Sequence, residues 1–198
     1  MAPSPSGKRR PAKRDAERGQ VLVAIAREAI AEPLGRGILL PRDEPWLAQP
    51  AASFVTLTLD EMLRGCIGSI DARRPLAEDV AGNARAAAFH DPRFEPLTAV
   101  EFDQVAIEVS VLSPRTALAA TSEAEAAGRL RPGVDGVYLE YAGHAATFLP
   151  QVWESLPDPV DFLAALRQKA RLPARFWDPA IRLTRYTVEK FGDGCTAH

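Results

Sequence analysis

Ser53-Phe54-Val55-Thr56-Leu57-Thr58-Leu59-Asp60-Glu61-Met62-Leu63-Arg64-Gly65-Cys66-Ile67-Gly68-Ser69-Ile70 is the stretch from which the fold can be read. Val55, Leu57 and Leu59 alternate with Phe54, Thr56 and Thr58, the two-residue period of a half-buried strand. The polar break at Asp60-Glu61 then turns the chain back, so residues 53–70 are expected to form a β-hairpin. Its second arm packs an arginine, a thiol and two glycines into one strand. Positions two apart share a face, so Arg64, Cys66, Gly68 and Ile70 look one way. Leu63, Gly65, Ile67 and Ser69 look the other. Glycine weakens a strand, and Gly65 and Gly68 therefore mark a bulge or the close approach of another backbone or a ligand.

Downstream, Pro75 fits the first turn of a helix, whose buried stripe is Leu76, Val80, Ala84 and Ala87. His90-Asp91-Pro92 ends it, because a residue before proline is pushed out of helical geometry. Gln104–Leu112 alternates as a strand with Val105, Ile107, Val109 and Val111 inward. Ser122 and Glu125 have capping-box spacing, which predicts a short helix over 122–129. Val134–Tyr141 and His144–Leu149 flank Ala142-Gly143 as a second hairpin. Asp158 caps a helix with Pro159 at its first position and Phe162, Leu163, Leu166 and Ala170 inward, closed by Pro173. Arg182–Phe191 reads as one last strand.

The order hairpin, proline-started helix, loop with Phe, Arg, Asp and Pro, then strand thus occurs twice, over 53–112 and 134–191. The loops are Asp91-Pro92-Arg93-Phe94 and Arg175-Phe176-Trp177-Asp178-Pro179. Short connections between such repeats predict an α+β fold. The expected form is one curved, barrel-like, mostly antiparallel sheet with helices outside.

Upstream, Leu22, Ile25, Ala26 and Ala29 lie on one face of a helix expected from about Asp15 to Glu32, stopped by Pro33. Residues 33–50 hold four prolines and read as a long connection wrapped over the core around Ile38–Pro41 and Trp46. Residues 1–14 are basic and almost free of apolar side chains, so a disordered tail is expected there. A flexible tail is expected at 192–198, with a single domain between the two.

The 198 residues suffice for one substantial core, and 46% hydrophobic with 25% charged residues is globular composition. A net charge of −2 makes nucleic acid an unlikely partner for the chain as a whole, the basic tail aside. No run of 18 apolar residues is present, so no membrane span is expected. Two distant cysteines, Cys66 and Cys195, make no disulfide framework and suit a reducing, cytoplasmic compartment. No phosphate loop, Gly-x-Gly-x-x-Gly or paired-cysteine zinc spacing occurs, so no cofactor or metal is expected.

Chemistry, if the chain has any, centres on Cys66. A cation at Arg64 would favour the thiolate, the nucleophilic form. A nucleophile also needs a base. His90 stands before a turn, His144 opens a hairpin strand, and His198 is terminal, so no histidine is paired with the thiol by sequence. A lone cysteine in an apolar strand is equally a small buried hydrophobe.

Leu63-Arg64-Gly65-Cys66-Ile67-Gly68-Ser69 resembles the signature of the AMMECR-type family, also called AmmeMemoRadiSam system protein A. The resemblance extends to Phe54-Val55-Thr56-Leu57, to the run Asn83–Phe94, and to Ile107–Pro114. Gly133-Val134-Asp135-Gly136-Val137 and Ala146–Trp153 match as well, so it covers about residues 19–191. Arg171 departs from it, standing where the family usually has glycine. The resemblance implies a single domain of two repeats around a barrel-like sheet. It also implies association with a Memo-like protein and a radical SAM protein, and it implies no established reaction.

Two functions follow as expectations. The first is an enzyme or small-molecule-handling protein with a cleft centred on Cys66 and Arg64. Gly65 and Gly68 would admit the molecule, Asn83, Asp91 and Arg93 would line the cleft, and Thr147 and Gln151 would join from the second repeat. The second is a non-catalytic module that docks onto a partner protein, with Trp46, Trp153 or Trp177 as candidate anchors and Arg64 as a structural ion-pair residue.

Overall fold

The Asp60-Glu61 break does turn the chain. Strand β1 (Ala52–Leu59) pairs antiparallel with β2 (Met62–Gly68). Asp60 and Glu61 both adopt positive φ, 49° and 63°, the handedness that matches the twist of a two-residue hairpin. The register places Thr58 opposite Leu63 but Leu57 opposite Gly65. Arg64 is the extra residue of a β-bulge, and the bulge takes it out of the two-residue alternation. The expectation that Arg64 shares a face with Cys66 is corrected by this insertion.

The computed structural model describes residues 13–192, and these divide into two compact units. The first runs to Val111 and takes up the chain again at Lys190; the second is Leu112–Glu189. Most of the expected N-terminal tail, residues 1–12, lies outside the described residues, as do residues 193–198 with Cys195 and His198. Residues 13 and 14 already belong to the first helix.

In the first unit, helix α1 (Lys13–Ala31) buries the expected Leu22, Ile25, Ala26 and Ala29. Helix α2 (Leu76–Phe89) buries Leu76, Val80, Ala84 and Ala87, and α3 (Ala99–Phe102) is a short turn that the sequence reading missed. Val105, Ile107, Val109 and Val111, at and along β3 (Ala106–Leu112), complete one core with Val55 and Leu57. The 33–50 connection contains a single 3-10 turn, Pro45–Ala48. Leu39 and Trp46 pack against the core as the wrap requires, whereas Ile38 and Leu40 stay exposed.

The second unit holds β4 (Thr116–Ala117), α4 (Glu123–Arg129), the hairpin β5 (Gly136–Tyr141) and β6 (His144–Phe148), α5 (Pro159–Lys169) and β7 (Arg182–Tyr186). Asp158 caps α5 by accepting from the amides of Val160 and Asp161. Trp153 is core here: its ring stacks on Phe162 at 3.8 Å and its Nε1 donates to the Asp135 carbonyl. The Trp177 indole donates to the Thr121 carbonyl.

Two readings are corrected by topology. The expected final strand is two strands, β7 and then β8 (Val188–Gly192), which belong to different sheets. The expected single barrel-like sheet is two four-stranded sheets, ordered β2-β1-β3-β8 and β4-β7-β5-β6. The duplication is real and more regular than its residues suggest. Each sheet consists of one repeat's hairpin, the strand after that repeat's helix, and a fourth strand continuing the other repeat. A two-residue period reports local pairing and carries no information on where a strand changes sheet, which is why both corrections escape sequence reading. Among the described residues, no helix is long and apolar enough to cross a membrane.

Candidate functional site

Cys66 sits opposite Thr56 in the hairpin, and the Thr56 hydroxyl donates to its sulfur at 3.4 Å. β2 is an edge strand of its sheet, so the Cys66 amide and carbonyl point away from β1, where an edge presents unpaired polar groups. The loop after α2 covers them. The Cys66 amide donates to Asp91 Oδ2 at 2.9 Å, and Arg93 Nη2 donates to the Cys66 carbonyl at 3.2 Å. Asp91 and Arg93 are in turn bonded through Nη2–Oδ2 at 2.7 Å and Nε–Oδ1 at 2.9 Å. Asp91 is buried, yet the Arg93 guanidinium beside it holds its carboxyl far below the usual carboxylate range, against the opposing effect of burial. The amides of Cys66 and Arg93 add to that lowering. The expected meeting of Cys66, Asp91 and Arg93 is therefore present, as a clamp on backbone.

Arg64 is spent elsewhere. Its Nε donates to Glu101 Oε1 at 2.8 Å and its Nη2 to Glu101 Oε2 at 3.2 Å and to the Glu95 carbonyl at 2.9 Å. Glu101 also closes a full capping box on α3, accepting from the Thr98 amide and hydroxyl while Thr98 accepts from the Glu101 amide. Bonding to Arg64, aided by the Thr98 amide, lowers the Glu101 pKa from 4.5 to about 2. Sequence reasoning missed Glu101, although Thr98-Ala99-Val100-Glu101 shows the spacing recognised at Ser122–Glu125.

The two glycines act by absence of a side chain. A Cβ on Gly65 would collide with the Ala87 carbonyl of α2, and one on Gly68 with the Phe54 ring. Both positions are close approaches, but the approaching groups are the protein's own.

Asn83 belongs to a buried network instead of an open surface. Its Nδ2 donates to the Ser53 carbonyl and to Asp79 Oδ2, both at 2.9 Å. Asp79 further accepts from the Ser53 amide and hydroxyl, the Ser69 hydroxyl and Arg74 Nη2. This network ties α2 to the start of β1 and the end of β2. Asp79 was not singled out in the sequence, because a carboxylate in a first helical turn reads as ordinary dipole compensation.

Thr147 and Gln151 lie in the second unit. The Thr147 hydroxyl bonds the Val137 carbonyl at 2.9 Å and the Tyr186 hydroxyl at 2.7 Å, while Gln151 is exposed on the 3-10 turn Pro150–Glu154. Burial raises the Tyr186 pKa, partly offset by that bond. His90 and His144 are exposed, and the sulfur's hydrogen-bond partner among the described residues is Thr56. No group of three or more His, Cys, Asp or Glu converges as metal ligands would among the described residues.

Residues 23–191 match the family model described as AMMECR1. A protein from Methanothermobacter thermautotrophicus is 38% identical over 184 residues, covering 88% of this chain and 94% of its own. One from Thermococcus gammatolerans is 38% identical over 189 residues, covering 88% and 90%. The crystal structure of an uncharacterized protein from Pyrococcus horikoshii superposes with a TM-score of 0.80 at 35% identity, over 90% of this chain and 93% of that one.

Proposed function

The chain belongs to the AMMECR1 family, and we propose that it is a non-catalytic binding module, acting on a Memo-like partner through the exposed apolar residues beside the Arg64–Glu101 pair. One observation carries this reading. Arg64 and Glu101 are bonded to each other, while apolar residues next to them in the chain are left exposed. Arg64 is paired with Glu101, and the residues adjacent to that pair, Leu63 and Val100, are 42% and 71% exposed, with Met62 at 71%. A surface with internally neutralised charge and exposed apolar side chains suits protein contact more than stabilisation of a reacting anion. The radical SAM protein implied by the family resemblance would be the second member of the assembly, and the cytoplasm is the compartment proposed for it.

The test is co-purification with a purified Memo-like protein. Wild type and Cys66→Ser are expected to be retained equally, and Val100→Asp with Leu63→Asp to be lost while remaining folded. Retention of the double aspartate variant would overturn the reading.

The enzyme or small-molecule reading keeps one observation in its favour: Cys66 is a free, part-exposed thiol on a well-braced strand. Alkylation rate measured against pH separates the two. Indistinguishable profiles for wild type and Arg64→Ala support the binding module. A profile displaced by Arg64→Ala would show that the guanidinium activates the thiol, and the catalytic reading would replace it.

A further inference from the structure

A second feature of the first unit lies on the 39–42 strap and the outer faces of α1 and α2. It is a half-open cavity of about 470 Å³, within the range of roughly 300–1,000 Å³ that small-molecule sites occupy. Its floor is apolar, from Ile25, Leu39, Ala77 and Ala81. Its rim carries the guanidinium groups of Arg42, Arg74 and Arg85, each paired with one carboxylate, of Glu28, Asp79 and Glu32 respectively, and Glu78 also lines it.

The strap forms a built wall. Glu28 Oε2 accepts from the Leu40 amide at 3.1 Å, and its carboxylate takes a two-pronged ion pair from Arg42 at 2.7 and 2.8 Å. That pairing lowers the Glu28 pKa, so the wall stays pinned at neutral pH. The glycine in the middle of α2 also has a reason: a Cβ on Gly82 would lie 3.1 Å from Arg74 Nη1. A side chain there would crowd the guanidinium at the cavity edge. Arg42 is consumed by the wall, but the other two keep donors in hand. Arg74 uses Nη2 on Asp79, and Arg85 uses Nε on the Ala29 carbonyl and Nη2 on Glu32. Among the described residues, Arg74 Nε and Nη1 and Arg85 Nη1 donate no hydrogen bond.

We propose that this cavity binds a small amphiphilic anion, its aliphatic tail on the Ala77–Ala81 floor and its carboxylate or phosphate head between Arg74 and Arg85. Apolar lining supplies affinity through burial, and planar guanidinium groups with free N–H donors select a planar or tetrahedral oxyanion. The site shares no residue with the surface beside the Arg64–Glu101 pair, so its test is independent of partner binding.

Calorimetric titration with decanoate and with decyl phosphate reads the proposal directly, with decyltrimethylammonium as the opposite charge. Saturable one-to-one binding of at least one anion is expected. Arg85→Gln is expected to weaken it at least about tenfold, and Ala77→Leu, which fills the floor, by a comparable factor. The preferred anion identifies the head group. Absence of saturable anion binding would overturn the proposal, as would equal binding of the ammonium compound or affinity indifferent to both variants.

Discussion

Asp91 and Arg93 replace a missing neighbour strand for Cys66. The carboxylate accepts the Cys66 N–H at 2.9 Å, the guanidinium donates to the Cys66 carbonyl at 3.2 Å, and the two are bonded to each other at 2.7 Å. A pair of side chains thus presents to the edge strand the acceptor and donor that another backbone would present.

Replacing Asp91 with Ala leaves the part-buried Cys66 N–H unpaired and strips Arg93 of its partner. A loss of about 1–3 kcal/mol is expected in urea unfolding. Arg93→Lys, at a side chain half open to solvent, is expected to cost about 1 kcal/mol or less. Equal costs for the two would show that the carboxylate has no role beyond the ion pair.

The two glycines of the motif should not be equivalent. Gly65→Ala drives a methyl into the Ala87 carbonyl, which only a backbone shift of β2 or α2 can relieve, so about 3 kcal/mol or more is expected. Gly68→Ala meets the part-exposed Phe54 ring, which can swing aside, and about 1–2 kcal/mol is expected. Thermal unfolding of the two variants gives the ranking directly.

Glu101 predicts an acid limb. Its folded pKa, about 2, is below the 4.5 of the unfolded chain, so its contribution is complete above about 4.5. That contribution is lost as pH falls through about 2. The stability difference between wild type and Glu101→Gln is therefore expected to be constant near neutrality and to shrink through that window. A difference independent of pH would show that the Arg64 contact does not distinguish the two protonation states.

Arg171 ends α5 in the left-handed region, at φ 61°. The Arg171 amide donates to the Gln168 carbonyl and the Leu172 amide to the Arg167 carbonyl, the paired bonds of a Schellman motif. Arginine at this position thus keeps the cap geometry and carries its strain. Arg171→Gly is expected to stabilise by about 1 kcal/mol, read as a raised unfolding midpoint.

Much of the fold was legible because the signals are local. The alternation of Val55, Leu57 and Leu59, the stripe from Leu76 to Ala87, the Asp158 cap and the two hairpins each depend on residues within a few positions of one another. The duplication was legible too, as an order of elements. The candidate site was legible in membership: Cys66, Asp91 and Arg93 do meet. It was not legible in role. Asn83 and Thr147 look like free polar groups in apolar segments, but each is bonded inside its own unit, to Ser53 and Asp79 or to Val137 and Tyr186.

The sequence alone determined most of the elements, their order and the family, since periodicity, caps and turns are written over short spans. Tertiary structure decided where the strand after residue 181 changes sheet, and that Arg64 neutralises Glu101 and leaves the thiol to Thr56. Both depend on contacts between distant segments, 37 positions apart for Arg64 and Glu101. A single inserted bulge residue, hinted at by Gly65 but not placed by the alternation, is enough to redirect a side chain from one partner to another.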